Sequence, residues 1–184
     1  MTKSVPVQMI ILVGSSGSGK TWVGEVLSSR LGLRFLDMER MLLSEFGTTE
    51  AFVAEKPRAL DWFESRVRDA AAGAASTLIF EIGAFSQRQT VDRLIRDYHA
   101  AVLLVEAPAA VRRRRLDSRP KGRHFTDDPE AAMRHDDLFE REVKPTYPFT
   151  LEIENAGLTE EQLEARVVKG LRDRGLALLG VPPN

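Results

Sequence analysis

The chain alternates short apolar runs with amphipathic stretches from one end to the other. Residues 9–13 (Met-Ile-Ile-Leu-Val) carry no polar side chain, the pattern of a strand covered on both faces of a sheet. Beyond a polar octet, Val23, Leu27 and Leu31 recur at helical spacing while Glu25, Ser28 and Arg30 face other ways. That predicts a helix over about 21–31, ended by Gly32. Residues 33–36 read as a short strand and 38–46 as a helix that stops at Gly47. A polar stretch follows through Lys56, and Pro57 opens a helix burying Leu60, Phe63 or Trp62, and Val67. Strands are predicted again at 77–82, 100–105 and 149–153. Helices lie between them at about 87–97, from Pro108 to just before Pro120, and from Pro129 to about 142, where Asp128 supplies the cap. Thr159 and Gln162 form a capping box for a last helix that buries Leu163, Val167 and Leu171. The apolar tail 176–181 is expected to pack on its own domain.

Five strands alternating with helices imply an α/β fold, a parallel sheet with helices on both faces, in one domain over 1–184. The polar octet between the first strand and first helix then acquires a chemical meaning. Gly14-Ser15-Ser16-Gly17-Ser18-Gly19-Lys20-Thr21 fits G-x-x-x-x-G-K-[ST] without a mismatch. Its glycines let the backbone turn tightly enough to aim successive N–H groups at an anion, at a helix N-terminus. Lys20 would reach the β- and γ-phosphates of a nucleoside triphosphate and the Thr21 hydroxyl would ligate Mg²⁺.

Phosphoryl transfer also needs a metal site, charge neutralisation and a positioned acceptor. Glu81, near the end of the third strand run, is placed to hold the Mg²⁺ shell, or is a solvent-facing strand-end acid. Asp37, at the carboxyl end of the second run, can accept or orient the proton of an acceptor hydroxyl, or cap the helix after it. Glu39 is its weaker partner. Arg112, Arg115 and Arg119 share one helical face; the first two are candidates for nucleotide contact. Arg119, Lys121 and Arg123 lie in or beside a polar segment at about 119–128 that reads as a lid. Arg58 and, less strongly, Arg141 are candidates for acceptor binding, with about 38–72 as the acceptor region. Arg113 and Asp117 make a plain i,i+4 pair, Arg88 reads as surface, and His99, His124 and His135 show no metal spacing.

Composition narrows the partners. At 184 residues and 43% hydrophobic, the chain can bury one full core. A net charge of -1 supplies no basic field for nucleic acid, and the absence of cysteine removes thiolate catalysis and disulfides. The apolar run near residue 5 is short and interrupted by Pro6 and Gln8, so neither a leader nor a membrane association is expected. A cytoplasmic protein, monomer or homodimer, acting on a small molecule is the expectation.

The phosphate loop, with features spread over nearly the whole chain, resembles the P-loop small-molecule kinases, the branch of shikimate kinases, adenylate kinases and other nucleoside monophosphate kinases. Asp37-Met38-Glu39 resembles the D-x-D pair of shikimate kinases, and Arg58 with Asp61 resembles their Arg followed by an acid. Residues 105–108 (Val-Glu-Ala-Pro) leading to Arg119-Pro120 are similar to their nucleotide-side helix and lid. The resemblance implies a five-stranded sheet ordered 2-3-1-4-5, ATP as donor, Mg²⁺ and a lid closing over both substrates. It also implies that Gly83 touches the acceptor. Shikimate kinases carry a glycine triplet there, where this chain has Glu81-Ile82-Gly83-Ala84, and leucines after the lid Arg-Pro, where it has Lys121-Gly122. Glu81 to Gly83 followed by Arg88 also resembles kinases of nucleosides and other hydroxyl acceptors. A nucleotide-binding regulator or partner-activated ATPase is the competing expectation.

Overall fold

A computed structural model describes residues 4–82, 88–121, 124 and 128–182. Its centre is a five-stranded parallel sheet. In chain order the sheet strands are β2 (Met9–Val13), β3 (Arg34–Leu36), β4 (Leu78–Glu81), β5 (Ala101–Glu106) and β6 (Leu151–Glu154), laid out β3-β4-β2-β5-β6. Counted among these five, the order is the expected 2-3-1-4-5, which sets the central strand β2 between β4 and β5. A parallel sheet forces each connection to cross over as a helix, so loops alternate between the two edges and all carboxyl ends share one. The phosphate loop, Asp37, Glu81 and Ala107 therefore meet there although far apart in sequence.

The wholly apolar run of β2 is explained by two cores. Met9, Ile11 and Val13 pack with Phe80, Leu104, Phe63, Val67 and Leu94 on one face. Ile10 and Leu12 pack on the other with Val23, Leu27, Leu103, Ile153, Leu163 and Val167. Helices α1 (Lys20–Leu31) and α8 (Glu160–Arg172) cover the second face. α2 (Met38–Phe46), α4 (Lys56–Ala71) and α5 (Arg88–Tyr98) cover the first. The capping box at Thr159 and Gln162 starts α8 as the spacing predicts. Gly24 sits where α1 crosses Phe35; a Cβ there would lie 2.4 Å from the ring.

Two segments differ from expectation. The polar stretch before Lys56 contains a helix, α3 (Thr49–Ala54), started by the Thr48 side chain, which accepts a hydrogen bond from the Ala51 amide at 3.1 Å. Phe52 explains the departure: its ring meets Phe46 edge-on at 6.2 Å, an apolar anchor that one aromatic in a polar run does not announce. The helix expected to run to about 142 ends earlier. α7 spans Pro129–Leu138, then the chain widens into a π-helical turn at Phe139–Val143 and tightens at Lys144–Thr146. Pro145 cannot continue an α-helix, and burial of Phe139 at 2% exposure fixes the wide turn before it. The apolar tail packs on its own domain as expected, as a strand, β7 (Leu176–Leu178), parallel to β1 (Val5–Val7). α6 (Ala109–Ser118) completes the elements. No helix among the described residues is long and apolar enough to cross a membrane.

Thr77 ties this outer pair of strands to the main sheet. Fully buried, its hydroxyl donates to the Val7 carbonyl at 2.6 Å and accepts from the Leu179 amide at 2.8 Å. Thr77→Val keeps the shape and orphans both groups. It should lower unfolding free energy by about 2 kcal/mol, read as a lower denaturation midpoint at unchanged m-value.

Candidate active site

The loop between β2 and α1 is shaped by what lies against it. A Cβ on Gly14 would fall 2.2 Å from the Val105 carbonyl oxygen, so a side chain there would drive β5 away. Gly19 adopts φ +94°, and a Cβ on it would fall 2.2 Å from the Asn155 amide nitrogen. Gly19 also begins α1 with no side-chain capping bond. The first-turn N–H groups of α1 therefore face the loop's concavity, where the helix dipole favours negative charge. Lys20 lies across this concavity, its Nζ donating to the carbonyls of Gly14 (2.9 Å) and Ser15 (3.2 Å). These are weak anchors for an ammonium, and a polyphosphate would compete for them.

Thr21 and Glu81 meet directly. The Thr21 hydroxyl lies 3.0 and 3.1 Å from the two carboxylate oxygens of Glu81. Glu81 is 6% exposed, so it is not the solvent-facing strand-end acid. Burial pushes its carboxyl up to about 7; Lys20 and the Thr21 hydroxyl pull it down, and the charges of Asp37 and Glu39 push it up again. A buried carboxylate among other acids, with a threonine hydroxyl beside it, is the donor set that suits Mg²⁺. That ion takes few protein oxygens and completes its shell with water and phosphate. No cluster of three or more His, Cys, Asp or Glu that could hold a metal occurs among the described residues. Thr21 and Glu81 would hold the ion.

Asp37 is half-buried at the end of β3 and caps α2, accepting from the Arg40 amide at 2.9 Å. The cap and the strand-end position are one arrangement: the cap fixes the carboxylate beside Glu81, because Leu36 and Phe80 are register partners. Glu39, in the first turn of α2, pairs with the imidazole Nδ1 of His124 at 3.2 Å. His124, which falls within the 119–128 stretch expected to act as a lid, is thereby held against α2. Gly83 and Arg123 lie outside the described residues.

The arginines separate. Arg112 Nε donates to the Ala107 carbonyl at 3.1 Å. It lines a cavity of about 20 Å³ behind the loop with Ser15, Ser18, Glu106, Phe139 and Glu140. The buried Ser18 hydroxyl has no hydrogen-bond partner among the described residues, and this cavity has room for the one water that would satisfy it. Arg115 sits beneath the loop, Nη1 donating to the Gly17 and Ser18 carbonyls and Nη2 to that of Asn155. Arg119, half-buried, ends α6. Arg58 stays outside the acid-lined edge: its side chain is 66% exposed, paired with Glu55 and stacked over Phe46 at 5.5 Å. Arg141 is exposed and donates to the Asp137 carbonyl. Neither is brought to Asp37 or Glu81 in this arrangement. Arg113 pairs with Asp117 as expected, whereas Arg88, read as surface, bonds Thr146 and lies 4.9 Å over the Tyr147 ring. Asn155 was missed; its only signal was a polar residue just past the last sheet strand.

A parallel sheet of this order with a glycine-rich loop opening α1 defines a P-loop nucleotide-binding protein. A family model described as an AAA domain matches residues 9–141. Shikimate kinase 2 of Yersinia pseudotuberculosis is 31% identical over 130 residues, 69% of this chain and 68% of that protein. The chain belongs to this P-loop family, and within it to the small-molecule kinases. The shikimate kinase of Acinetobacter baumannii, solved with shikimate, has the same fold (TM-score 0.64, 23% identity, 91% of this chain and 94% of that one). So does a gluconokinase of Sinorhizobium meliloti (TM-score 0.60, 17% identity, 91% and 93%).

The Glu81 carboxyl makes a pH prediction for protein free of nucleotide and metal. Folded, it keeps its proton to about pH 7, while unfolded it loses it near 4.5. The folded chain thus binds more protons in between, and stability falls as pH rises through that window. Glu81→Gln should match wild type at pH 4 and exceed it above pH 7 by about 3 kcal/mol. Melting curves in chelator from pH 4 to 8 check this; a gap that does not open with pH is the contrary result.

Proposed function

We propose that this chain is an ATP- and Mg²⁺-dependent kinase that phosphorylates a hydroxyl of a small molecule. The observation that carries the reading is the Thr21–Glu81 pair beside Lys20 at the uncapped start of α1. One metal-binding pair, one cation and one row of amides converge where a triphosphate tail would lie. Mg²⁺ held there would offset charge on the transferring phosphoryl group. Main-chain amides of 14–21 bind the β- and γ-phosphates, and Lys20 leaves its carbonyl contacts to join them. Asp37, anchored as a helix cap, accepts the proton of the acceptor hydroxyl as its oxygen bonds to the γ-phosphorus. The bond to the β,γ-bridging oxygen breaks and ADP leaves. Arg119 and Arg123, on a lid of about 119–128, add positive charge over the transfer. Arg112 binds the nucleotide from α6, while Arg115 acts through the loop. The acceptor region is 38–72 in a single domain, and the protein works in the cytoplasm as a monomer or homodimer without nucleic acid.

The acceptor is best read as an uncharged hydroxyl compound, a nucleoside or polyol. Among the described residues the edge at β3 and β4 presents Asp37, Glu39 and Glu81, while Arg58 and Arg141 are engaged elsewhere. A carboxylate or phosphate would meet repulsion there. The names of the relatives, shikimate kinase and gluconokinase, favour hydroxyl phosphorylation; shikimate and gluconate each carry a carboxylate, so the preference for an uncharged acceptor rests on the acids of this chain alone.

Transfer from labelled ATP to nucleosides, sugars, shikimate-like polyols and nucleoside monophosphates tests this. Neutral acceptors should give the highest kcat/KM, and Lys20→Ala should lower transfer by about 10³-fold or more. Tight ATP binding with no acceptor phosphorylated would instead favour the partner-activated ATPase.

A further inference from the structure

The side of the loop facing away from the phosphate site is held by two residues from distant parts of the chain. Asn155, at the end of β6, is 2% exposed, and its Nδ2 donates to the Ser18 carbonyl at 2.9 Å. Arg115 Nη1 donates to that same oxygen at 2.9 Å and to the Gly17 carbonyl at 3.2 Å. Its Nη2 donates to the Asn155 carbonyl at 2.8 Å. The Asn155 backbone N–H in turn donates to the Glu106 main-chain carbonyl of β5 at 2.7 Å. Each group is therefore fixed by a neighbour that is itself fixed.

The consequence follows from peptide geometry. In a planar trans peptide the C=O and the next N–H point in opposite directions. With the Ser18 oxygen held by two donors on the α6 and β6 side, the Gly19 N–H of the same plane is directed to the opposite side, the concave one. We propose that Asn155 is a positioning residue for phosphoryl transfer: by binding the Ser18 carbonyl it locks the Gly19 amide toward the β-phosphate. Gly19 is required for the same reason, since a Cβ there would displace the Asn155 amide. Without Asn155 the Ser18 oxygen is held by Arg115 alone, so the peptide plane gains freedom to rotate and its amide is less well preorganised.

This inference rests on the nucleotide-site reading above but not on the identity of the acceptor. The test uses the full chain, with inorganic tripolyphosphate and ATP as titrants. Asn155→Ala should weaken tripolyphosphate binding about tenfold, the worth of one hydrogen bond to a charged group. Asn155→Asp, which keeps the shape but loses the donor, should weaken it at least as much. With an acceptor in hand, kcat should fall and the acceptor KM should stay within about twofold. Variants that lose melting temperature yet bind tripolyphosphate as wild type does would overturn the proposal, making the bond structural only. Should the variants not fold, ¹⁵N-labelled wild type decides. The Gly19 amide resonance should move on adding tripolyphosphate, and a resonance that stays put while the anion binds sinks the idea. Wild type that fails to bind tripolyphosphate or ATP refutes the nucleotide site itself. Binding without transfer to any acceptor refutes only the kinase reading.

Discussion

A loop can offer its amides to an anion only if the carbonyls on the same peptide planes are satisfied somewhere else. Every turn that aims an N–H inward aims an oxygen outward, and an unsatisfied buried oxygen costs about 1–3 kcal/mol. This constraint organises the carboxyl edge of the sheet. The Ser18 oxygen is met by Asn155 and Arg115, and the Gly17 oxygen by Arg115. The donors come from α6 and the end of β6, which reach the loop because β5 and β6 lie on its side of β2. Glycine at 14 and 19 permits the approach; the donors give it a direction.

The other half of the site is governed by charge. Glu81, Asp37 and Glu39 are gathered at the ends of β3 and β4, where β4 adjoins β2 and its phosphate loop. Without a cation, burial first and then the neighbouring acids raise the Glu81 carboxyl, against the pull of Lys20 and a threonine hydroxyl. The folded protein thus carries an electrostatic cost at one place, the kind of local conflict that marks a functional site. Bound Mg²⁺ and phosphate would resolve it together. The buried apolar faces on both sides of β2 hold the conflict in place, since the strand ends cannot separate without opening both cores.

Most of the architecture was legible because long, strongly periodic segments have few alternative readings. The wholly apolar 9–13 run and the Thr159 capping box match what the pattern implies, and the strand order matches what the resemblance to P-loop kinases implies. Legibility failed where a single contact overrode local composition. α3 exists through Thr48 and the Phe46–Phe52 pair inside a polar run, and the π-helical turn at Phe139 reflects burial that no periodicity encodes. The β1–β7 pair joins segments about 170 residues apart, a distance over which one sequence carries no pairing signal.

The sequence by itself determined the chemistry of the phosphate loop, because its eight residues are contiguous and their spacing is the mechanism. It also determined the alternation of strand and helix, which dictates a parallel sheet and a shared carboxyl edge. Only the tertiary structure decided what surrounds that loop. It separated Arg115, spent on loop carbonyls, from Arg112; it paired the exposed Arg58 with Glu55; and it brought Asn155 beneath Ser18. Such roles depend on which strands are neighbours and where side chains end, and those are properties of packing that residue type and spacing do not contain.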